Sequence, residues 1–187
     1  SLYGDLDLSI LDEMPMGRQK ITTWLVPPQK REGAYRWIED QIKSGSQAFI
    51  VCPLIEESEV ETMKGVKAAT AEFKHLSHGV FPNLKLGLLH GRMKGDEKEN
   101  TLEKFRKGKT DILVSTPVVE VGIDIPNATI MMVEAADRFG LAQLHQLRGR
   151  VGRGNKKSYC LLFTELPSPK VLGRLQAMEE AKTGAEL

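Results

Sequence analysis

Asp111-Ile112-Leu113-Val114-Ser115-Thr116-Pro117 is the stretch that decides the fold. Its aliphatic run has no polar residue at alternate positions, which suits a strand covered on both faces. Ser115-Thr116 then supplies hydroxyls for a helix cap, and Pro117 fits the first turn of a helix. A strand running straight into a helix is one half of a βαβ unit. Similar runs lie at Ile21–Val26, 48–52, 84–89, 129–133 and Ser158–Phe163. Amphipathic stretches separate them. The alternation predicts an α/β domain with a mostly parallel sheet.

The helical stretches carry apolar stripes. Ala34, Trp37, Ile38 and Ile42 fall on one helix face. Leu102 with Phe105, and Leu141, Leu144 and Leu147, mark two more helices. Val171, Leu172, Leu175 and Met178 mark a last one, entered through Pro167 and Pro169. These stripes read as core. Residues 1–19 lack a clear period and hold Pro15 and Gly17, so they read as a linker. Residues 56–65 are acidic and turn-like and read as a surface loop. The ends read as cut from a longer protein.

Composition narrows the class. The 187 residues are 41% hydrophobic and 27% charged, as in ordinary globular domains. Cys52 and Cys160 sit in apolar runs and read as buried small hydrophobes, not as a disulfide or metal pair. There is no signal-peptide pattern and no membrane-length apolar run, so a cytosolic setting is expected. Net charge is +1, yet Arg148, Arg150, Arg153, Lys156 and Lys157 fall within ten residues with no acid among them. Such a cluster is a local anion-binding signal.

That cluster begins in Gln146-Leu147-Arg148-Gly149-Arg150-Val151-Gly152-Arg153-Gly154. Glycine lets backbone approach a ligand closely, and arginine presents a rigid fork of donors to phosphate oxygens. Arg150 and Arg153 are three apart, so a helical turn projects them from one face. Two guanidinium groups at one point suit the charge of a phosphoryl-transfer transition state. The segment resembles motif VI of superfamily 2 helicases, Gln-x-x-Gly-Arg-x-Gly-Arg. The resemblance implies that Arg150 and Arg153 are arginine fingers on the γ-phosphate of ATP, with Gln146 positioning the network.

Two further segments agree. Ser115-Thr116-Pro117 followed by Gly122-Ile123-Asp124 resembles motif V. The resemblance puts Ser115 and Thr116 on the nucleic-acid backbone and Gly122 and Asp124 near the nucleotide. A carboxylate such as Asp124 can accept from a ribose hydroxyl or from an arginine; both remain open. Pro117 departs from the family pattern and removes one backbone donor at that turn. Leu89-His90-Gly91-Arg92 resembles motif IV, which implies that His90, Gly91 and Arg92 touch a phosphate of the tracked strand. The helix that follows carries Lys94, Lys98, Lys104, Arg106, Lys107 and Lys109 against Asp96, Glu97, Glu99 and Glu103, and reads as a solvated face.

The resemblance narrows through Tyr3-Gly4-Asp5-Leu6-Asp7, Cys52-Pro53-Leu54-Ile55-Glu56 and Arg138-Phe139-Gly140-Leu141, which look like RecG-type branched-DNA helicases. It implies a RecA-like three-layer α/β/α fold of the helicase C-terminal kind. The expected division is a linker at 1–19, the RecA-like domain at 20–166, and the start of a helical-hairpin translocation motif at 167–187, with Arg174 as a DNA-contacting residue. Asp12-Glu13 mimics a Walker B pair, but the chain has no Gly-x-x-x-x-Gly-Lys-Ser/Thr loop, so ATP and Mg2+ are expected to be held mainly by a first RecA-like domain of the same polypeptide. Forked or junction DNA is the implied partner, a membrane is not, and the full-length protein is expected to be monomeric. The chain alone is expected to lack ATPase activity. A motor domain of a transcription-repair coupling factor and a non-catalytic nucleic-acid module with this fold remain the alternatives.

Overall fold

A computed structural model describes residues 7–10, 21–53, 63–117, 125–151, 155–165 and 169–180. The strands are β1 (Asp7–Ile10), β2 (Ile21–Val26), β3 (Gln47–Val51), β4 (Leu86–Leu89), β5 (Ile112–Ser115), β6 (Ala128–Val133) and β7 (Ser158–Phe163). The helices are α1 (Arg31–Lys43), α2 (Met63–His75), α3 (Gly95–Arg106), α4 (Leu141–Arg148) and α5 (Pro169–Glu180).

The strands form one sheet in the order β1-β2-β7-β6-β3-β5-β4. Every pairing from β2 to β4 is parallel. The buried runs therefore behave as expected, and all six parallel strands end at the same edge of the sheet. Open sheets of this kind carry their ligands beyond those carboxyl ends.

The helices divide between the faces because strand side chains alternate. Ala48, Ile50, Ile112, Val114, Ile130 and Met132 pack with Ala34, Trp37, Ile38 and Ile42 of α1 and Ala69 of α2. Phe49, Val51, Leu113, Met131 and Val133 pack with Phe105 of α3, Leu144 and Leu147 of α4 and Leu175 of α5. The outcome is three layers, with each face sealed by helices. Trp24 and Trp37 meet edge to face at 4.7 Å between ring centroids, locking α1 onto β2.

Two segments depart from the sequence reading. Residues 7–10, expected within a linker, form β1, antiparallel to β2 from Asp7↔Leu25 to Ile10↔Thr22. Leu8 and Ile10 alternate with Asp7 and Ser9, the period of a strand, and β2 offers an edge of backbone donors and acceptors. The second is 56–65, whose last residues, Met63 to Gly65, open α2, where Gly65 is buried. Ala69, Phe73 and Leu76 recur at helical spacing and join the core cluster of that face, docking α2 on the sheet. Residues 54–62 lie outside the described residues, as do Asp12 and Glu13.

Candidate nucleotide and nucleic-acid site

The carboxyl edge brings two expected segments together. β4 and β5 pair in register, Leu89 opposite Ser115, so the chain emerges as His90 and Thr116 side by side. The Thr116 N–H donates to the Leu89 carbonyl at 3.3 Å and closes the junction. The Arg92 N–H donates to Nδ1 of His90 at 3.2 Å. Neutral His90 therefore carries its proton on Nε2. Gly91 and Arg92 are exposed, whereas Ser115 and Thr116 are buried. The Thr116 hydroxyl is shut off from solvent and has no hydrogen-bond partner among the described residues. A buried hydroxyl in that condition costs free energy unless something accepts or donates to it.

The second cluster is carried by α4. Its entry is set by Gly140, whose N–H donates to Oε1 of Gln143 at 3.0 Å. Leu144 and Leu147 hold one face in the core. The last turn runs on past Arg148 through Arg150 N–H to Leu147 O at 3.1 Å and Val151 N–H to Arg148 O at 3.3 Å. Gln146 and Arg150 are four apart along that continuous turn, so they share a face. Gln146 is exposed and Arg150 half-buried. Arg153, Gly122 and Asp124 lie outside the described residues. As the connection from the carboxyl end of β6 to the amino end of β7, α4 carries Gln146 and Arg150 away from the edge that holds His90 and Thr116.

The five-residue basic cluster is split by the helix. Arg148 lies one turn after Leu144, on the core side, and is only 4% exposed. Burial pulls its pKa below the ordinary arginine value. Its Nη2 lies 3.3 Å from Nδ1 of His145, whose own pKa is lowered first by burial and then by Arg148. Lys156 and Lys157 sit at the amino end of β7, where Lys156 donates to Oδ1 of Asn127. Arg174 on α5 donates from Nη2 to the Asp137 carbonyl at 2.7 Å, in the turn that leads to α4. The two cysteines are buried, and burial lifts Cys160 up to about 12. Among the described residues no group of three His, Cys, Asp or Glu could hold a metal.

One cluster was not legible in the sequence. Arg31, at the start of α1, reaches Oε1 of Glu134 at 2.8 Å and Oε1 of Glu165 at 3.0 Å. It donates to the Tyr35 hydroxyl at 2.8 Å and lies 4.8 Å from the Phe163 ring centroid. Burial opposes its charge, but the hydrogen bond to Glu134 overrides that and raises its pKa. Burial pushes Tyr35 up to about 12. Glu134 follows β6, and Ala135 next to it is left-handed at φ 47°. The clamp therefore fixes the turn that launches α4. Arg31 and Glu134 are 103 residues apart, and no local spacing signals their meeting.

Residues 30–155 match the helicase conserved C-terminal domain family. The chain is 50% identical to the ATP-dependent DNA helicase RecG of Synechocystis over 98% of its own length and 22% of that protein's. It is 43% identical to the RecG of Bacillus subtilis over its whole length and 27% of that protein's. The chain thus spans only about a quarter of these relatives. A structure of RecG bound to a three-way DNA junction superposes with a TM-score of 0.75 at 44% identity, covering 92% of this chain and 22% of that one. Domain 2 of the DEAD-box helicase Mss116p shares the fold at a TM-score of 0.60 and 23% identity. With these residues matched over the βα units and α4, the chain belongs to the helicase conserved C-terminal domain family.

Proposed function

We propose that this chain is the second RecA-like motor domain of an ATP-dependent DNA helicase of the RecG type, acting on branched DNA in repair and recombination. The observation that carries the reading is the similarity to RecG on a three-way junction, at 44% identity over 92% of this chain.

Arg150 and Arg153 supply guanidinium donors to the γ-phosphate, where negative charge shifts during phosphoryl transfer. Gln146, on the same helix face as Arg150, orients that network, and Gly122 and Asp124 border the nucleotide. ATP and Mg2+ are held mainly by a first RecA-like domain, so the arginines act only when the two domains close. ATP supplies the phosphoanhydride bond whose cleavage drives the cycle. His90, Gly91, Arg92, Ser115 and Thr116 face the DNA backbone from the carboxyl edge. The Thr116 hydroxyl is buried, so it meets a phosphate only when the carboxyl edge opens around it. Arg174 meets DNA with the guanidinium donors that its bond to the Asp137 carbonyl leaves over.

In the full-length helicase, Arg150→Ala is expected to lower DNA-stimulated ATP hydrolysis about a thousandfold while DNA binding persists. The isolated chain is expected to hydrolyse no ATP. Hydrolysis by the isolated chain that disappears with Arg150→Ala overturns the division of labour between two domains.

A further inference from the structure

The charge along α3 is sorted by position. Asp96 and Glu97 occupy its first turn, and Lys104 and Arg106 its last. Beyond Lys107 the chain reverses through Gly108 at φ +76°, a conformation that favours glycine. The Lys109 N–H then bonds back to the Lys104 carbonyl at 2.9 Å. Next door, the Lys85 carbonyl accepts from the N–H groups of Asp111 at 2.7 Å and Ile112 at 3.2 Å. These bonds gather Lys85, Lys104, Arg106, Lys107 and Lys109, all exposed, at the amino ends of β4 and β5.

Few acids offset them. Glu103 is taken by Arg106 and by Lys107, the latter at 3.7 Å. Asp111 uses Oδ2 to accept the Lys85 N–H at 2.8 Å. Lys85, Lys104 and Lys109 make no ion pair among the described residues. The chain as a whole is near neutral, so this corner is a local excess. The solvated helix face expected from the sequence is, in three dimensions, a helix whose basic end joins a neighbouring lysine.

We propose that this corner is a second, sequence-independent contact for the phosphate backbone of duplex DNA. It is separate from the carboxyl edge, because α3, at about 1.5 Å rise per residue, sets its last turn roughly 15 Å or more from Arg92. Lysines are flexible point charges that meet phosphates without reading bases. A single-strand groove adds exposed aromatic rings for stacking. The one aromatic residue of this corner, Phe105, is 0% exposed. The surface therefore suits a duplex, whose backbone presents charge without unstacked bases.

Fluorescence anisotropy with a labelled blunt duplex of about 30 base pairs tests this on the chain and on its K85Q/K104Q/K109Q variant. Each lost phosphate contact flattens the slope of log affinity against log salt by about 0.9, so the triple variant should lose about two to three units of slope and at least tenfold in affinity at low salt. The substituted side chains are exposed, so an unchanged melting temperature is expected; if the triple variant unfolds, K109Q alone should lose about one unit. Duplex binding that survives unchanged in K109Q overturns the proposal. So does polyglutamate that binds as tightly as the duplex and is lost with the same lysines. Arg92→Gln separates the two surfaces. Loss with Arg92→Gln alone removes this corner and leaves the carboxyl-edge reading standing; loss with the lysines alone does the reverse.

Discussion

Glu72 shows how one residue records its surroundings. It lies on α2, and its pKa is raised first by burial and then by the Glu134 carboxylate, against smaller opposing effects of His75 and Arg31. A carboxyl whose folded pKa is raised favours the fold while protonated, and that advantage is lost as pH rises through the folded value. Ionised Glu72 therefore weakens the fold at neutral pH. Glu72→Gln should stabilise the chain at pH 7 by about half a kcal/mol, solvent screening limiting the gain. The difference should vanish below the ordinary carboxyl pKa, 4.5. Urea midpoints of both proteins across pH would check this; a gain that persists in acid contradicts it. Such a group was invisible in the sequence. Its environment is made by burial and by Glu134, and only the sheet order brings Glu134 near α2.

At the scale of elements, α4 is the part on which the site depends. Its core stripe was legible because Leu144 and Leu147 obey the helical period within a few residues. The same period explains why Arg148 turns inward although its neighbours are basic. Gln146 and Arg150 are legible for that reason too, while the tie between Arg174 and the turn before α4 is not. α2 was missed because its apolar stripe begins directly after an acidic stretch. Leu144 is 0% exposed, so Leu144→Ala should cost about 2–5 kcal/mol in a cavity and lost burial. Thermal unfolding by circular dichroism measures it. A loss below about 1 kcal/mol means that α4 is not firmly docked, and that Gln146 and Arg150 are not held as described.

Over the whole molecule, the parallel sheet holds the expected residues on different elements. The carboxyl ends of β4 and β5 carry His90, Arg92 and Thr116, and α4 carries Gln146 and Arg150 toward the other end. The parallel strands were legible because each is a short aliphatic run between amphipathic stretches. The partner of the outermost parallel strand was not, since β1 is only four residues long and its meaning depends on the exposed side of β2. That small strand has a consequence for behaviour in concentrated solution. β2 carries Trp24 at 1% and Val26 at 0% exposure, and its outer backbone groups are met by β1. Deleting residues 1–10 bares a hydrophobic template for adding strands from other copies. Light scattering on that shortened chain should grow with protein concentration while the intact chain stays clear; equal scattering from both would show that β1 is dispensable. Asp7–Ile10, inside the stretch that spacing alone described as a linker, are thus expected to act as a stopper against aggregation.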